Sequence, residues 1–585
     1  MTYQAPIAEM RFALDAVAGL PKIARLPGYE EATPDLVSAI LEEAGKLAAD
    51  VLAPLNHPGD RQGSVFENGV VRTPEGFQDA YAQFVAGGWN ALPFDPDFGG
   101  QGLPWSLATA VQEMWQAANL SFGLCPLLTV GAVELLQAHG SERQKNDYLA
   151  KLIAGEWTGT MNLTEPQAGS DVGALKTRAE RNGDHYLITG QKIFITYGEH
   201  DLADNIVHMV LARLPDAPEG TKGISLFLVP KFIVNEDGSL GSHNDLRCVS
   251  IEHKLGIKAS PTAVMSYGDS GGAVGYLIGE ENQGIACMFT MMNNARLAVG
   301  VQGVALAERA YQQARAYAFE RTQGRLLEGG DGAAKIVQHP DVRRMLATMK
   351  ARSEAARALA YWAAGTLDRA KREPDDARRK AAQARLDLLI PIVKAWCTDA
   401  ACEVASLGVQ VHGGMGFIEE AGAAQHYRDA RILPIYEGTN GIQALDLFTR
   451  KLLRDHGKAM KTLIRELQDG LPPAGDALAA LRPPLVTALA ALEHATAWLL
   501  DDGAKSIAKG AAGATPYLAL CGSVLGGWLL AKSAVQAQQE GGSFAAAKLK
   551  TARFYAENLL GETAGLAGAV IRGAESTLAF DDADF

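Results

Sequence analysis

Apolar residues recur every three to four positions through the first part of the chain. Between about residues 35 and 155 this repeat marks one buried face, as in Leu36, Ile40, Leu41, Ala44, Leu47 and Ala48. Such spacing places side chains along one side of an α-helix. The pattern predicts a helical domain over 35–158, preceded by an N-terminal extension over 1–34.

The pattern becomes that of β-strands between residues 159 and 282. Here β-branched and aromatic residues are enriched and the apolar runs are separated by Gly, Asp, Asn and Pro, as in HYLITGQKIFIT, NIVHMVLARL and ISLFLVPKFIV. These features are typical of short strands joined by turns. We therefore expect a β domain in the middle of the chain.

Helical periodicity returns after residue 283 and continues to the end. One long stripe consists of Leu386, Leu389, Val393, Trp396, Ala400, Val404 and Leu407. It predicts a helical bundle over 283–458, and Pro391 within it predicts a kink or a late start of that helix. The alanine-rich segment 459–585 contains the joint LPPAGD and predicts an additional C-terminal helical domain.

Composition and charge narrow the classes of protein. A chain of 585 residues, with 48% apolar and 21% charged residues, is too long for one core and too apolar for disorder. A net charge of −13 opposes binding to nucleic acid. The six cysteines form no CxxC pair, so we expect neither a disulfide framework nor a metal site. The N-terminus does not resemble a secretory signal, and a cytoplasmic location is expected.

One uncharged run is almost long enough to cross a bilayer. It extends from Gly510 to Ala531 and is interrupted by Pro516 and several glycines. These interruptions favour a buried helix of a bundle over membrane contact. We therefore predict no integral membrane span.

Two segments of the predicted β domain contain candidate binding residues. In MNLTEPQAGSDVGALKTRAE, residues 161–180, Thr164, Ser170 and backbone amides crowd one turn that can hydrogen-bond a planar polar ring or a phosphate. An ordinary loop has the same composition. In GQKIFIT, residues 190–196, Phe194 and Thr196 are two positions apart and so share one side of a strand. There they can cover and hydrogen-bond a flavin, although the pattern by itself favours an ordinary half-buried strand.

A third candidate is Glu437, near the end of the predicted bundle. It follows the apolar run ILPIY and precedes Gly438 and Thr439. Burial disfavours the charged carboxylate and raises its pKa, which suits a general base acting near neutrality. Gly438 lets the backbone approach a ligand closely. An isolated glutamate at a helix start or on the surface is the alternative.

Taken together, these segments resemble the acyl-CoA dehydrogenase family. The resemblance runs in order over roughly residues 80–450, through GWNALPFDPDFGGQGLP, HGSERQKNDYLAKLIAGEWTGTMNLTEPQAGSD, HKLGIKASPT, GEENQGI, MMNNARLAVG, YAFERTQGR and YRDARILPIYEGTNGIQ. The start of the chain and its C-terminal helices are similar to the long bacterial branch, which includes 3-methylthiopropanoyl-CoA and fatty acyl-CoA dehydrogenases.

The resemblance implies an α+β fold, with a helical N-terminal domain, a central β-barrel, a four-helix bundle and an additional C-terminal helical domain. It implies FAD held between barrel and bundle and completed by a neighbouring subunit, so that a homodimer is the minimum assembly. The implied reaction is α,β-dehydrogenation of an acyl-CoA to a trans-2-enoyl-CoA. Glu437 would remove the α-proton, flavin N5 would accept the β-hydride, and electrons would pass to an electron-transferring flavoprotein.

The resemblance also assigns roles to individual residues. Glu437 is the implied catalytic base, and Ser170, Arg296 and Gly438 are implied to bind substrate. The residues implied to bind FAD are Met161, Leu163, Thr164, Ser170, Phe194, Thr196, Arg321, Gln410, Gly414 and Thr439. Arg321, Gln410 and Gly414 would contact the FAD of the partner subunit.

The sequence departs from the family pattern at a few positions. Phe194 stands where the family usually has Trp, and Pro340 and Gly441 replace glutamines. The acyl chain length stays open, as do two alternatives: an acyl-CoA oxidase that passes electrons to oxygen, and a non-catalytic binding relative. The presence of Glu437 and the balanced charge of the C-terminus favour the dehydrogenase.

Overall fold

The computed structural model describes residues 3–329, 332–472 and 476–585. The chain begins with a helical unit that also contains a small hairpin, β1 (Val65–Glu67) and β2 (Val70–Arg72). Its helices are α1 (Ile7–Phe12), α2 (Leu20–Ile23), α3 (Pro34–Lys46), α4 (Ala53–Gln62), α5 (Phe77–Ala86), α6 (Trp105–Ala118), α7 (Leu120–His139), α8 (Glu142–Gln144) and α9 (Ala150–Ala154).

The β domain follows directly. Its strands are β3 (Trp157–Asn162), β4 (Arg178–Asn182), β5 (His185–Thr196), β6 (Asn205–Arg213), β7 (Ile224–Pro230), β8 (Phe232–Val234), β9 (Leu240–His243), β10 (Leu246–Ile251), β11 (Thr262–Tyr267) and β12 (Ala273–Ile278). The main sheet has eight strands in the order β10-β11-β5-β12-β7-β6-β3, with β4 beside β5 and β6. Because β4 pairs with both of these strands, β4, β5, β12, β7 and β6 close into a ring. The domain therefore has a barrel-like core.

A bundle of three long helices and a shorter fourth arm comes next. Its helices are α10 (Gly284–Glu320), α11 (Pro340–Arg372), α12 (Asp376–His412), α13 (Ala423–Ala430) and α14 (Asn440–Asp446). Helix α12 runs through Pro391, so the predicted late start is wrong. Helices α10 and α12 approach closely, since a Cβ added at Gly303 would lie 2.4 Å from the Cys397 carbonyl oxygen. This close packing fixes the two helices that flank Glu437.

The remainder forms a second helical layer against the bundle. A Cβ added at Gly522 would lie 2.2 Å from Cγ of Trp396, so α19 (Ala514–Glu540) packs on α12 with no room for a larger residue. Trp528 of α19 donates its indole N–H to the Leu467 carbonyl at 2.9 Å. The helices are α15 (Lys458–Asp469), α16 (Arg482–Leu500), α17 (Asp502–Lys505), α18 (Ile507–Ala512), α19 (Ala514–Glu540), α20 (Gly542–Asn558) and α21 (Glu562–Thr577).

Helices α7 and α19 are long and apolar enough to cross a membrane by length and composition alone. Most of each apolar stretch is nevertheless buried inside the protein. Packing therefore accounts for their apolar surfaces, as it does for the core helices of many proteins. The prediction of a buried helix in the uncharged run is confirmed.

Candidate functional site

Glu437 lies in a strained turn between α13 and α14. Its φ is 57° and that of Gly438 is 82°, so two successive residues adopt the left-handed region. This conformation is costly for a residue with a side chain and is often found at functional sites. The Asn440 N–H closes the turn by donating to the Pro434 carbonyl at 2.9 Å. Thr439 caps α14 through a 3.4 Å bond from the Ile442 N–H to Oγ1.

Burial dominates the electrostatics of this turn. It raises the pKa of Glu437 to about 7, against the opposing positive charges of Lys394 and Arg296. A carboxyl group with this pKa both accepts and releases a proton near neutrality. This shift has the direction that the apolar sequence around Glu437 predicts.

Two further residues shape the space beside the carboxyl group. Arg296 is buried in α10 with Nη1 3.9 Å from Asp446. Among the described residues its Nε has no hydrogen-bond partner. A buried donor without a partner lowers the stability of the fold unless a ligand supplies the partner. At Gly438 an added Cβ would lie 2.7 Å from Nε2 of Gln443, whose side chain donates to the Gly438 carbonyl at 3.0 Å. Only glycine fits there.

A second group of predicted residues lies in the β domain. Met161 is in β3, and Leu163 and Thr164 follow it. The Ile193 N–H donates to the Thr164 carbonyl at 2.9 Å, and Lys192 Nζ donates to the Leu163 carbonyl at 3.1 Å. The structure therefore joins the segment after β3 to the end of β5.

Phe194 and Thr196 occupy the irregular end of β5. The ladder with β11 is interrupted between Lys192 and Ile195, and Phe194 has a φ of 60°. Phe194 is 58% exposed and Thr196 is half-buried, whereas Ile195 between them is buried. The bulge therefore presents an aromatic ring at the surface of the barrel. Ser170 is exposed in the loop after β3.

The third group lies at the far end of the bundle. Arg321 caps the C-terminus of α10, and Gln410 is in the last turn of α12 with Gly414 just beyond it. Stacked rings of Tyr317 and His412, 4.5 Å apart, join the two helix ends. From Arg296 to Arg321 the helix is about 38 Å long at ~1.5 Å per residue. One subunit thus keeps this group well away from Glu437.

Two of the three departures from the family pattern, Pro340 and Gly441, are accommodated locally. Pro340 is the first residue of α11, where a missing N–H costs little. A Cβ added at Gly441 would meet only Oγ1 of Thr439, at 3.9 Å. Neither position is distorted by its substitution.

Sequence reasoning missed two residues that face the Glu437 turn. Lys394 is fully buried in α12, and its Nζ donates to Asn440 Oδ1 at 2.8 Å. The available signal was a single lysine within the apolar run LLIPIVKAWC. The run predicts a buried segment, and a lysine is rarely buried unless it is paired. Asn440 gave no such signal, since asparagine is common at the start of a helix.

The chain matches four family models in succession. Residues 36–156 match "Acyl-CoA dehydrogenase, N-terminal domain", and residues 160–269 match the middle domain. Residues 282–452 match the C-terminal domain, and residues 457–581 match "Acetyl-CoA dehydrogenase C-terminal like".

Individual proteins are similar over nearly the whole chain. A 3-methylmercaptopropionyl-CoA dehydrogenase of Ruegeria pomeroyi is 50% identical over 572 residues, with coverage of 96% of this chain and 97% of the relative. The broad-specificity linear acyl-CoA dehydrogenase FadE5 of Mycobacterium tuberculosis is 35% identical, with 95% of each chain covered. A solved acyl-CoA dehydrogenase of Bacillus anthracis, complexed with FAD, shares the fold with a TM-score of 0.75 at 22% identity, over 94% of this chain and 90% of that one.

Proposed function

This chain belongs to the acyl-CoA dehydrogenase family, and on that premise we propose that Glu437 is the base that removes the α-proton of an acyl-CoA thioester. The product of this reaction is the trans-2-enoyl-CoA. The observation that carries the proposal is the position of Glu437, half-buried in a strained turn where the loss of solvent raises its pKa to about 7. An acyl-CoA dehydrogenase needs a carboxylate of this kind, because the α-proton of a thioester is only weakly acidic.

FAD is the cofactor of this family, and several features of the chain fit it. Phe194 offers an exposed ring for an isoalloxazine, and Thr164, Thr196 and Thr439 offer hydroxyl groups. An added Cβ at Gly414 would meet no atom within 4 Å, so a ligand has room to lie against its backbone. When bound, FAD supplies the acceptor for the hydride lost from the β-carbon.

The turn around Glu437 also offers a donor for the thioester oxygen. Among the described residues the backbone N–H of Glu437 forms no hydrogen bond. We propose that it donates to the carbonyl oxygen and so stabilises the negative charge that develops as the α-proton leaves. Gly438 keeps that side of the turn free of a side chain. Arg296, whose Nε lacks a partner among the described residues, would contact the acyl-CoA.

We further propose that the enzyme is a homodimer with FAD shared across the interface. Arg321, Gln410 and Gly414 are separated from Glu437 by much of the length of the bundle, too far for one dinucleotide within one subunit. Phe417 and Ile418 follow Gly414 in the chain and are exposed, and Phe417 is 86% exposed. Arg428 donates to the Leu255 carbonyl at 3.1 Å and to Glu419 at 2.8 Å, so the exposed Leu255 lies near this segment. We call Leu255, Phe417 and Ile418 the apolar patch. An electron-transferring flavoprotein is the proposed partner that takes up the electrons removed from the substrate.

The substrate is proposed from the relatives. The 3-methylmercaptopropionyl-CoA dehydrogenase of Ruegeria pomeroyi is 50% identical, whereas FadE5 is 35% identical. We therefore propose a short thioether acyl-CoA of the 3-methylmercaptopropionyl type as the preferred substrate. Longer straight-chain acyl-CoAs are the competing class.

An anaerobic titration tests the reaction and the substrate together. The FAD-loaded protein is mixed with a panel of acyl-CoAs, and bleaching near ~450 nm reports two-electron reduction of the flavin. We expect the 3-methylmercaptopropionyl thioester to bleach the flavin in wild type and not in Glu437→Gln. Glu420→Gln, at an exposed site, is the matched control. Failure of every thioester to bleach bound FAD would reject the proposal, and rapid peroxide formation in air would indicate an oxidase.

A further inference from the structure

Lys394 is a buried cation that the proposed reaction does not yet use. Its side chain is fully buried at the middle of α12, where an ammonium group is costly unless it is paired or hydrogen-bonded. Its Nζ donates to Asn440 Oδ1 at 2.8 Å. No carboxylate of the described residues lies within ion-pair distance of it. The amine instead faces the turn that carries Glu437.

Asn440 connects this amine to the turn. Its Nδ2 donates to the Ala395 carbonyl at 3.1 Å, to Thr398 Oγ1 at 3.0 Å and to Asp399 Oδ1 at 2.8 Å. Its side chain thus docks the start of α14 onto α12. Its backbone N–H holds the Pro434 carbonyl on the other side of Glu437. The turn from 434 to 440 is therefore closed by one residue that Lys394 helps to orient.

We propose that Lys394 is a positioning residue for the proposed dehydrogenation: through Asn440 it fixes the turn that carries Glu437, and its ammonium group places a positive charge behind the catalytic carboxylate. This inference rests on the proposed function of Glu437. It explains why a lysine occupies an otherwise apolar segment of α12. A fixed turn holds the carboxylate in the geometry for proton abstraction, which small displacements impair.

The charges around Glu437 determine in which direction the loss of Lys394 shifts the pKa of the base. Lys394 projects from α12 and Arg296 from α10, and both favour the ionised carboxylate. Arg296 in turn faces Asp446 of α14 and Arg450, while Asp399 of α12 faces Lys394. Among these groups, Lys394 opposes the effect of burial on the pKa of Glu437 most strongly. Loss of its charge should therefore raise the pH at which the base becomes active.

Three variants separate the charge from the hydrogen bond. Lys394→Gln removes the charge and keeps a polar group for Asn440, Lys394→Met removes both, and Lys394→Arg keeps the charge. The rate of anaerobic flavin reduction is measured against pH on the FAD-loaded enzyme. We expect the midpoint of the rising limb to move up by about one pH unit in the Gln and Met variants and to stay in place in Lys394→Arg. We also expect the plateau rate of Lys394→Met to fall about tenfold.

The exposed Lys505→Gln is the matched control and should leave the profile unchanged. An unmoved midpoint in a folded, FAD-loaded Lys394→Gln would overturn the inference while leaving the proposed function intact. Absence of reduction in wild type would instead reject the proposed function itself. If the lysine variants fail to fold, Asn440→Ala provides the test. A lower plateau rate supports the proposal that Asn440 fixes the turn, and an unchanged plateau rate overturns it.

Discussion

Glu437 is half-buried and held in the left-handed backbone region, and partial removal of its carboxyl group from water raises its pKa. The backbone conformation alone costs about 1–3 kcal/mol in a residue with a side chain. Withdrawal from water adds a second cost whenever the carboxyl group is ionised. The fold therefore maintains a residue that destabilises it, as expected where a side chain is placed for chemistry.

This cost gives the stability of the protein a defined pH dependence. The pKa of Glu437 rises from an ordinary value of 4.5 to about 7, so the native state binds this proton more tightly than the unfolded chain. The contribution of this bound proton to the free energy of unfolding is fully present below about pH 4.5. It is lost as the pH rises towards 7 and does not change further above that value.

Glu437→Gln, which is neutral at every pH, should escape this loss. We expect its gain in unfolding free energy over wild type to be roughly 2 kcal/mol larger at about pH 8 than at about pH 5.5. Urea unfolding of both proteins at matched FAD content measures the difference. A gain that is equal at the two pH values would show that the pKa of Glu437 is not raised in the folded protein.

For single residues, the sequence predicted the apolar neighbours of Glu437 but not the polar residues that contact its turn. The apolar run before it predicted burial and a raised pKa, because these residues are its immediate neighbours. Lys394 and Asn440 were missed as a pair, since their contact depends on how α14 lies against α12. A tertiary contact of this kind leaves no local pattern in the sequence.

Among the helices and strands, β5 carries two residues of the proposed FAD site, Phe194 and Thr196. Its irregular end is held by Lys192, which is fully buried and donates to Glu165 at 2.8 Å and to the Leu163 carbonyl. Burial alone would raise the pKa of Glu165, but Lys192 and hydrogen bonds from Thr177 and Lys176 lower it to about 2. This ion pair fastens the segment after β3 to β5.

We expect Lys192→Met to be strongly destabilising, because it leaves the Glu165 carboxylate buried without a cation. Breaking such a pair costs about 3–5 kcal/mol. The variant should also lose FAD during gel filtration. Gln191→Met, at the exposed neighbouring position, is the control. Unfolding free energy and FAD content measure both effects, and the double variant Glu165→Gln/Lys192→Met should regain part of the stability. A single variant as stable as the control would contradict this role.

Periodicity predicted the types of these elements well, but not their interruptions. Helix α12 continues through Pro391 because packing against α10 fixes the backbone on both sides, and that packing depends on the small residue Gly303. The bulge at Phe194 was missed for a related reason. Its left-handed φ is imposed by contacts with the segment after β3, and no glycine or asparagine marks it in the sequence.

For the whole molecule, the sequence predicted the order of the units but not how the last one is placed. Close contact between Gly522 of α19 and Trp396 of α12 seats the C-terminal helices on the outer side of the bundle. This layer covers the bundle on one side and leaves the ends of α10 and α12 accessible. We therefore expect a dimer formed through those ends. The C-terminal domain would occupy the position of a second dimer, and a clear tetramer in light scattering would refute that arrangement.

A substitution in the apolar patch can test whether the proposed dimer forms through the ends of α10 and α12. Phe417 is 86% exposed, and Leu255 and Ile418 of the same patch are exposed as well. An exposed group of apolar side chains often marks a surface that binds another protein. Phe417→Glu should convert the dimer to monomers and lower the FAD content at least several-fold, because Arg321, Gln410 and Gly414 would lose the partner's cofactor. Leu578→Glu, at a half-exposed C-terminal position, should change neither property. A Phe417→Glu protein that remains dimeric and fully loaded would show that FAD is bound without this surface.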